Sequence, residues 1–352
     1  MHHLGCADPS NIWKHDGFYY MQTGNLITLN LYGREADSPA EYRGDHVELF
    51  RSRDLRSWEF VHRFYERRTD NSWTDETEDD MCPSFLLLPK KRTGGEASGK
   101  YLQLFIAHNK GAQYYIGDYR DDRFFPEVHG RMSWVDNTYF APEALIDANG
   151  RQIMWAWLLD NPEGDDFDRF SWSGVFSFPR ELWLGDDGTL RMAPARELDS
   201  LCYNPQIFEE TKLSGEKKLN VKNGEAFRMS FFADVTHKAG VMLKQSADGK
   251  EFVRIYVDKA AGKLVFDSRT CTHDGRPALE EAPFVLAEGE KAKFDIFVDK
   301  SVVEVYVNDR QAICRRVFSS DPKNSTAVSL WAQGEAEFSY VSAWEVDPAN
   351  MY

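Results

Sequence analysis

Short runs of strand-forming residues, interrupted at close intervals by turn residues, dominate this sequence. Residues 18–21, 113–119 and 153–158 are rich in β-branched and aromatic side chains, which favour extended chain. Clusters of Gly, Asp and Asn separate such runs, as at residues 147–150 and 185–188. No stretch of about 12 residues carries the periodicity of an amphipathic helix. The sequence therefore predicts an all-β fold.

The net charge and the length of the apolar stretches argue against two classes of partner. The 352 residues contain 42 Lys and Arg against 57 Asp and Glu, a formal net charge of −15. A surface that follows nucleic-acid phosphates is not expected from such a chain. The apolar stretches are only a few residues long, far below the roughly 18 needed to cross a bilayer. We expect neither a nucleic-acid nor a membrane partner.

The cysteines and the amino terminus bear on the cellular compartment. The opening residues MHHLGCADPS lack the charged start and apolar centre of a signal peptide. Reduced thiols are expected because the five cysteines are odd in number and lack metal-ligand spacing. We therefore expect a cytoplasmic protein. The cysteines are Cys6, Cys82, Cys202, Cys271 and Cys314.

Two regions differ in their strand pattern. In residues 1–200 a turn, a strand and an antiparallel partner recur loosely with a period near 50 residues, which favours a β-propeller with about four blades. A β-sandwich with irregular strands is the alternative for this region. After a linker at 201–211, residues 212–352 show cleaner alternation and regular turns, which predicts a β-sandwich.

Three groups of residues could carry chemistry. Asp8 precedes a proline, which favours extended backbone and so would aim the carboxylate rigidly. Residues 74–83 read TDETEDDMCP, and crowded carboxylates raise one another's pKa, as a general acid requires. A third group combines aromatic residues with Arg131. Most of these rings are expected in blade cores, and exposed rings can bind sugars. The candidates for sugar binding are Arg131, Phe140, Trp157 and Trp172.

Five blocks, in order along essentially the whole chain, resemble glycoside hydrolase family 32, the invertase, inulinase and levanase family. Residues 6–21 resemble its Arg-Asp-Pro block and residues 79–89 its Glu-Cys-Pro block. YFAPEALIDANGRQIMWAWL resembles its Tyr-Ala-Pro segment, and FSWSGVFSFPRELWLGDDGTLRMAPARELDSL the end of its propeller. FDIFVDKSVVEVYVNDRQA resembles the signature of its carboxy-terminal sandwich. The resemblance implies a five-bladed type of propeller, about four blades of it in this chain, followed by a β-sandwich.

This sequence departs from the family pattern at three points. The family's nucleophile is an aspartate in an Asn-Asp-Pro-Asn-Gly block of the first blade. No such block occurs in this chain, which is expected to begin at the second blade. Ala7 replaces the arginine of the Arg-Asp-Pro block, while Asp8 matches the aspartate that holds sugar hydroxyls. Met81 stands at the position of the acid/base glutamate, and a thioether cannot give up a proton.

A neighbouring carboxylate would have to replace that glutamate. Alternation along a regular strand places Asp79 on the face of Met81, about 7 Å away, with Glu78 and Asp80 opposite. Glu78 has the longer reach but would need a bulge, which is common beside active sites. The identity of the acid/base therefore remains open among Glu78, Asp79 and Asp80. Asp8 is expected to share one funnel with whichever of Glu78 and Asp79 acts.

The resemblance implies retaining hydrolysis of fructosyl linkages in sucrose-like or fructan saccharides, with no metal or organic cofactor. Two carboxyl groups would lie about 5 Å apart. Because the nucleophile block is missing, we expect hydrolysis by this chain to be greatly reduced or absent. A non-catalytic carbohydrate-binding homologue, or one part of a split enzyme, is the alternative. A propeller glycosidase of the arabinanase and xylosidase type is disfavoured by the sandwich signature. An unpaired sheet edge would favour a homodimer or a complementary chain.

Overall fold

In a computed structural model, the chain is built almost entirely of antiparallel β-sheet. The structure describes residues 6–9, 11–25, 44–66, 73–159, 173–271, 273 and 275–350. Among these residues the one helical element is the 3-10 helix Arg196–Leu201. The all-β prediction is confirmed, with a propeller-like amino-terminal part and a carboxy-terminal sandwich.

The chain divides into two compact units, the first comprising Met1–Trp157 and Glu181–Leu190. Its described residues form three antiparallel sheets. The first has the order β1-β3-β4-β5, with β2 paired to β3, and the second has the order β6-β7-β8-β9. Their strands are β1 (Cys6–Pro9), β2 (Trp13–His15), β3 (Phe18–Asn25), β4 (His46–Ser52), β5 (Glu59–Glu66), β6 (Met81–Pro89), β7 (Ala97–Ala107), β8 (Gly111–Arg120) and β9 (Arg123–Arg131).

The third sheet contains β10, β11 and β13 in that order. The sequence spacing predicted about four such repeats, whereas the described residues form three sheets, which start at Cys6, Met81 and Tyr139 and so are spaced more widely than 50 residues. The strands of this stretch are β10 (Tyr139–Ile146), β11 (Gln152–Leu158), β12 (Val175–Phe176), β13 (Arg180–Leu184) and β14 (Leu190–Pro194).

An aromatic core packs the first unit. Phe64 of β5 lies edge-on to Phe85 of β6, with ring centroids 4.9 Å apart, and Phe85 stacks on Tyr101 at the same distance. Trp13 of β2 packs on both Phe64 and Phe85. Such rings bury large apolar areas and prefer these offset and edge-to-face arrangements. The aromatic side chains of β2, β5, β6 and β7 therefore form one core beneath the first two sheets.

The second unit comprises Leu158–Arg180 and Arg191–Tyr352. Its eleven strands follow the order β21-β20-β19-β18-β25-β17-β22-β23-β24, with β15 and β16 also paired to β25. β15 lies inside the range that the sequence assigns to a linker. The strands are β15 (Cys202–Ile207), β16 (Thr211–Leu219), β17 (Ala226–Val235), β18 (Lys238–Gln245), β19 (Val253–Asp258), β20 (Lys263–Asp267), β21 (Leu279–Pro283), β22 (Ala292–Asp299), β23 (Val302–Val307), β24 (Gln311–Arg316) and β25 (Ala327–Val346).

Along its length, the long strand β25 pairs first with β18 and then with β17. Its residues 327–333 pair with β18, and its residues 336–345 pair with β17. Gly334, with a φ of 79°, lies between the two pairings, and glycine adopts this left-handed conformation without a steric penalty. The 20-residue strand can therefore change direction at Gly334 and pair with β18 before it and with β17 after it.

Candidate active site

The first strand of each sheet in the first unit begins with the same local distortion. Asp8 of β1, Cys82 of β6 and Ala141 of β10 have φ values of 50°, 49° and 43°, and each precedes a proline. The strand register shifts at two of these places, between Ala7 and Pro9 and between Met81 and Ser84. Left-handed backbone is costly for residues other than glycine, and bulges of this kind redirect side chains beside active sites.

The expectation of extended backbone at Asp8 is therefore wrong. The steric effect of the following proline favours extended chain, but the bulge in the pairing of β1 with β3 turns Asp8 into the left-handed region instead. Its carboxylate is exposed. The aim of this side chain is set by a bulge and not by a regular strand.

Asp8 and Cys82 meet across the first two sheets. The Cys82 thiol donates a hydrogen bond to Asp8, with Sγ 3.4 Å from Oδ2. Burial raises the pKa of the Cys82 thiol, and the nearby negative charge of Asp8 raises it further. The thiol is therefore a neutral donor that holds Asp8 in place.

Asp79 forms a second pair with His108, which follows β7 in the turn to β8. The carboxylate accepts the backbone N–H of His108 at 2.8 Å and the ring Nδ1–H at 2.5 Å. Asn137 donates its side-chain amide to the His108 carbonyl at 2.6 Å. The hydrogen bond from Asp79 raises the pKa of His108, and the charge of Asp8 adds to this effect. Asp8 and Asp79 therefore act on one imidazole.

Two aromatic rings continue this cluster into the third sheet. The His108 ring lies edge-on to Phe140, 5.7 Å between centroids, and Phe140 lies edge-on to Trp157 at 6.2 Å. Trp157 is 38% exposed. The structure thus brings three predicted site residues, Asp79, Phe140 and Trp157, around His108. Trp172 lies outside the described residues.

Glu78 and Arg131 lie together in a different, buried environment. Arg131 donates to both carboxylate oxygens of Glu78, at 2.9 and 3.0 Å, and Gln113 donates to Oε2 at 2.7 Å. Glu78 is 2% exposed. A bidentate pair of this kind is strong and directional. Both side chains are therefore engaged with each other within the protein.

Two buried residues, Asp80 and Met81, follow Asp79 along the chain. Asp80 is fully buried, and neither of its carboxylate oxygens has a hydrogen-bond partner among the described residues. Burial raises its pKa well above the usual range, and the charges of Asp45 and Asp79 add to this. Met81 is 2% exposed. A Cβ at Gly24 would clash with the Asp80 carbonyl oxygen and lie 3.0 Å from the Met81 sulfur. The end of β3 is therefore in close contact with the backbone at the start of β6.

Sequence reasoning missed His108. A signal was present, because His108 stands in a turn of the sheet that opens with the acidic block, and turns of propeller-like sheets carry functional side chains. Among the described residues, no group of three or more His, Cys, Asp or Glu side chains is arranged to hold a metal ion. In the same part of the chain, no helix is long and apolar enough to cross a membrane.

Family models match almost the whole chain. The model of the glycosyl hydrolases family 32 N-terminal domain covers residues 5–194, and the model of the glycosyl hydrolases family 32 C-terminal domain covers residues 197–345. The chain belongs to glycoside hydrolase family 32.

Curated relatives and solved structures extend this result. A sucrose-6-phosphate hydrolase of Zymomonas mobilis is 25% identical over 98% of this chain and 66% of its own length. A raffinose invertase of Escherichia coli is 27% identical over 96% of this chain and 66% of its own. The chain therefore spans about two thirds of the length of these relatives. Fructan 1-exohydrolase IIa of Cichorium intybus shares the fold with a TM-score of 0.80, at 18% identity over 98% of this chain and 73% of its own.

Proposed function

We propose that this chain is a glycoside hydrolase of the β-fructofuranosidase type, which hydrolyses fructosyl linkages of sucrose-like or fructan saccharides. Support comes from the family, and from relatives named as a sucrose-6-phosphate hydrolase, a raffinose invertase and a fructan 1-exohydrolase. The observation that carries the proposal is the hydrogen bond from the Cys82 thiol to exposed Asp8, beside the pair of Asp79 and His108.

In this proposal Asp8 binds the sugar hydroxyls, and Phe140 and Trp157 provide apolar surface for a sugar ring. Among the acids left open by the sequence, the contacts favour Asp79 over Glu78 as a member of the site. Asp79 binds His108, whose ring packs on Phe140, whereas Glu78 is enclosed with Arg131 and Gln113. Arg131 would then support the acidic loop instead of touching the sugar.

Hydrolysis of sucrose, inulin and levan by the purified chain tests the proposal. The family's Asn-Asp-Pro-Asn-Gly block does not occur in the 352 residues, so turnover is expected below the ordinary range of about 1–1000 per second. Asp8→Asn should lower kcat/KM by about 10²–10³, as loss of one group that stabilises the transition state does.

Asp16→Asn is the matched control for this substitution. Asp16 is also an exposed aspartate of the first unit, with a left-handed φ of 45°. We expect it to retain the activity of the unsubstituted chain. Equal rates for Asp8→Asn and the unsubstituted chain would contradict the role of Asp8.

A second function, binding of saccharides without cleavage, is favoured by one observation. Met81, at the position where the family resemblance places the acid/base group, is a buried thioether and cannot transfer a proton. Calorimetry with fructo-oligosaccharides separates the two functions, because a binding protein would bind them and leave them intact.

The partner and the compartment remain proposals. A homodimer or a complementary chain at an open sheet edge is tested by the mass of the chain in solution. The described cysteines, Cys82, Cys202, Cys271 and Cys314, are free thiols, which supports a cytoplasmic location.

A further inference from the structure

Cleavage of a fructosyl linkage needs a proton for the leaving oxygen, and Met81 cannot supply it. Any replacement must titrate, reach solvent and substrate, and lie beside the group that holds the sugar. Asp80 is fully buried and Glu78 is paired with Arg131, so neither meets these requirements. The question is which titratable group of the site does.

His108 titrates, is partly exposed and lies close enough to Asp8 for that charge to act on it. Its side chain is 41% exposed, its ring packs on Phe140, and Asp79 holds its Nδ1 and its backbone N–H. Its Nε2 has no hydrogen-bond partner among the described residues. We propose that His108 is the acid/base group of this site, acting through Nε2, and that Asp79 is its positioning residue. This inference rests on the proposed function.

The charges around His108 favour the protonated ring. Asp79 raises the pKa of His108 through its hydrogen bond, burial opposes this, and the charge of Asp8 on β1 raises the pKa further. On β10, the ring that packs against His108 is the uncharged Phe140, and Glu143 acts on Cys82. An imidazolium held by a carboxylate is suited to general acid catalysis.

The proposed step balances as a hydrolysis. The bond between the anomeric carbon and the leaving oxygen breaks, and its electron pair stays on the oxygen, which takes the proton of Nε2. Water supplies the oxygen of the new bond at the anomeric carbon and returns one proton to Nε2. The imidazole ends as it began, and one water is consumed for each linkage cleaved.

A pair of substrates tests this role. Sucrose has a poor leaving group that needs a proton, whereas fructosyl fluoride has a leaving group that departs with little help. His108→Gln should lower kcat/KM for sucrose by about 10²–10⁴, the usual contribution of general acid catalysis, and for the fluoride by less than about tenfold. His15→Gln, which replaces an exposed histidine of β2, is the matched control and should change neither.

The pH profile distinguishes positioning by Asp79 from a purely structural role. Without the carboxylate, the pKa of His108 falls, so Asp79→Asn should move the alkaline limb of kcat/KM for sucrose to lower pH. Equal losses on both substrates in His108→Gln, or an unmoved limb in Asp79→Asn, would overturn the inference and leave the proposed function standing. A chain that cleaves neither substrate overturns the proposed function, and the role of His108 with it.

Discussion

Arg180 and Glu304 form a fully buried ion pair in the second unit, with Nη2 and Oε1 2.5 Å apart, although 124 residues separate them in sequence. The Tyr306 hydroxyl donates to the same carboxylate at 2.5 Å, and the Phe178 N–H donates to its other oxygen at 3.2 Å. Glu304 belongs to the segment that resembles the family's sandwich signature. These contacts indicate that Glu304 stabilises the fold and has no role in catalysis.

Removing one charge of this pair should destabilise the protein strongly. Glu304→Gln removes the negative charge that faces the buried Arg180 guanidinium, which costs about 3–5 kcal/mol. Urea unfolding measures the loss as a lower midpoint. Glu288→Gln, at an exposed position of the same unit, should stay within about 0.5 kcal/mol. Equal midpoints for the two variants would show that the pair contributes little.

The pairing of Glu78 with Arg131 leads to a prediction that separates stability from catalysis. Glu78→Gln should lower the free energy of unfolding by about 1–3 kcal/mol, because it leaves guanidinium hydrogen bonds poorly satisfied. Glu76→Gln, at an exposed position two residues away, is the control, and urea unfolding of both variants is the measurement. If Glu78→Gln leaves stability unchanged but abolishes hydrolysis of sucrose, Glu78 and not the Asp79–His108 pair is the acid/base group.

Asp80 should make the folded state less stable as the pH rises. Its pKa in the folded state is raised by burial, so between the unfolded pKa near 3.9 and the folded one the folded state holds a proton that the unfolded state has released. Stability is then lost with increasing pH. Asp80→Asn, which cannot ionise, should gain stability relative to the unsubstituted chain from pH 4 to pH 7.

Denaturant unfolding at both pH values measures this gain. Asp75→Asn, at an exposed position, is the control for replacing an aspartate of the same loop. A gain that is the same at pH 4 and pH 7 would argue against an ionisation at Asp80. Asp45 contributes a slope of the same sign up to about pH 6, because burial raises its pKa to about 6.

His129 should act in the opposite direction. Burial lowers its pKa to about 3, and the charge of Arg131 assists. Between pH 6.5 and 3 the unfolded state binds a proton that the folded state does not, so stability is lost as the pH falls. His129→Gln should therefore gain stability relative to the unsubstituted chain between pH 7.5 and pH 5.

The same unfolding measurement at these two pH values tests His129. His237→Gln is the control, since it replaces an exposed imidazole. If the free energy of unfolding of His129→Gln falls relative to that of the unsubstituted chain between pH 7.5 and pH 5, protonation of the buried ring stabilises the fold and the predicted sign is wrong. The ring stacks on Trp73 at 6.0 Å and bonds Gln113 at 2.9 Å, so a constant loss at both pH values is expected in addition.

The parts of this molecule that depend on local pattern could be predicted from the sequence. Alternation and turn residues predicted the strands, and the blocks around Asp8 and Cys82 indicated the family. The choice between Glu78 and Asp79 could not be made, because it used alternation along a strand that begins only at Met81. The contacts that distinguish the two acids come from Arg131, 53 residues from Glu78, and from His108, 29 residues from Asp79. Neither partner leaves a periodic trace in the sequence.

Gly24 lies beside the candidate site, where the backbones of the first two sheets come into close contact. It pairs with Ala7, next to Asp8, and its α-carbon faces the backbone of Asp80 and Met81. Main chain there lies against main chain, and main-chain atoms have no rotamers that could adjust. This backbone contact limits the separation between the two sheets. Even a methyl group at position 24 would push the two sheets apart, because it would clash with the Asp80 carbonyl oxygen. We therefore expect position 24 to tolerate substitution less well than position 81.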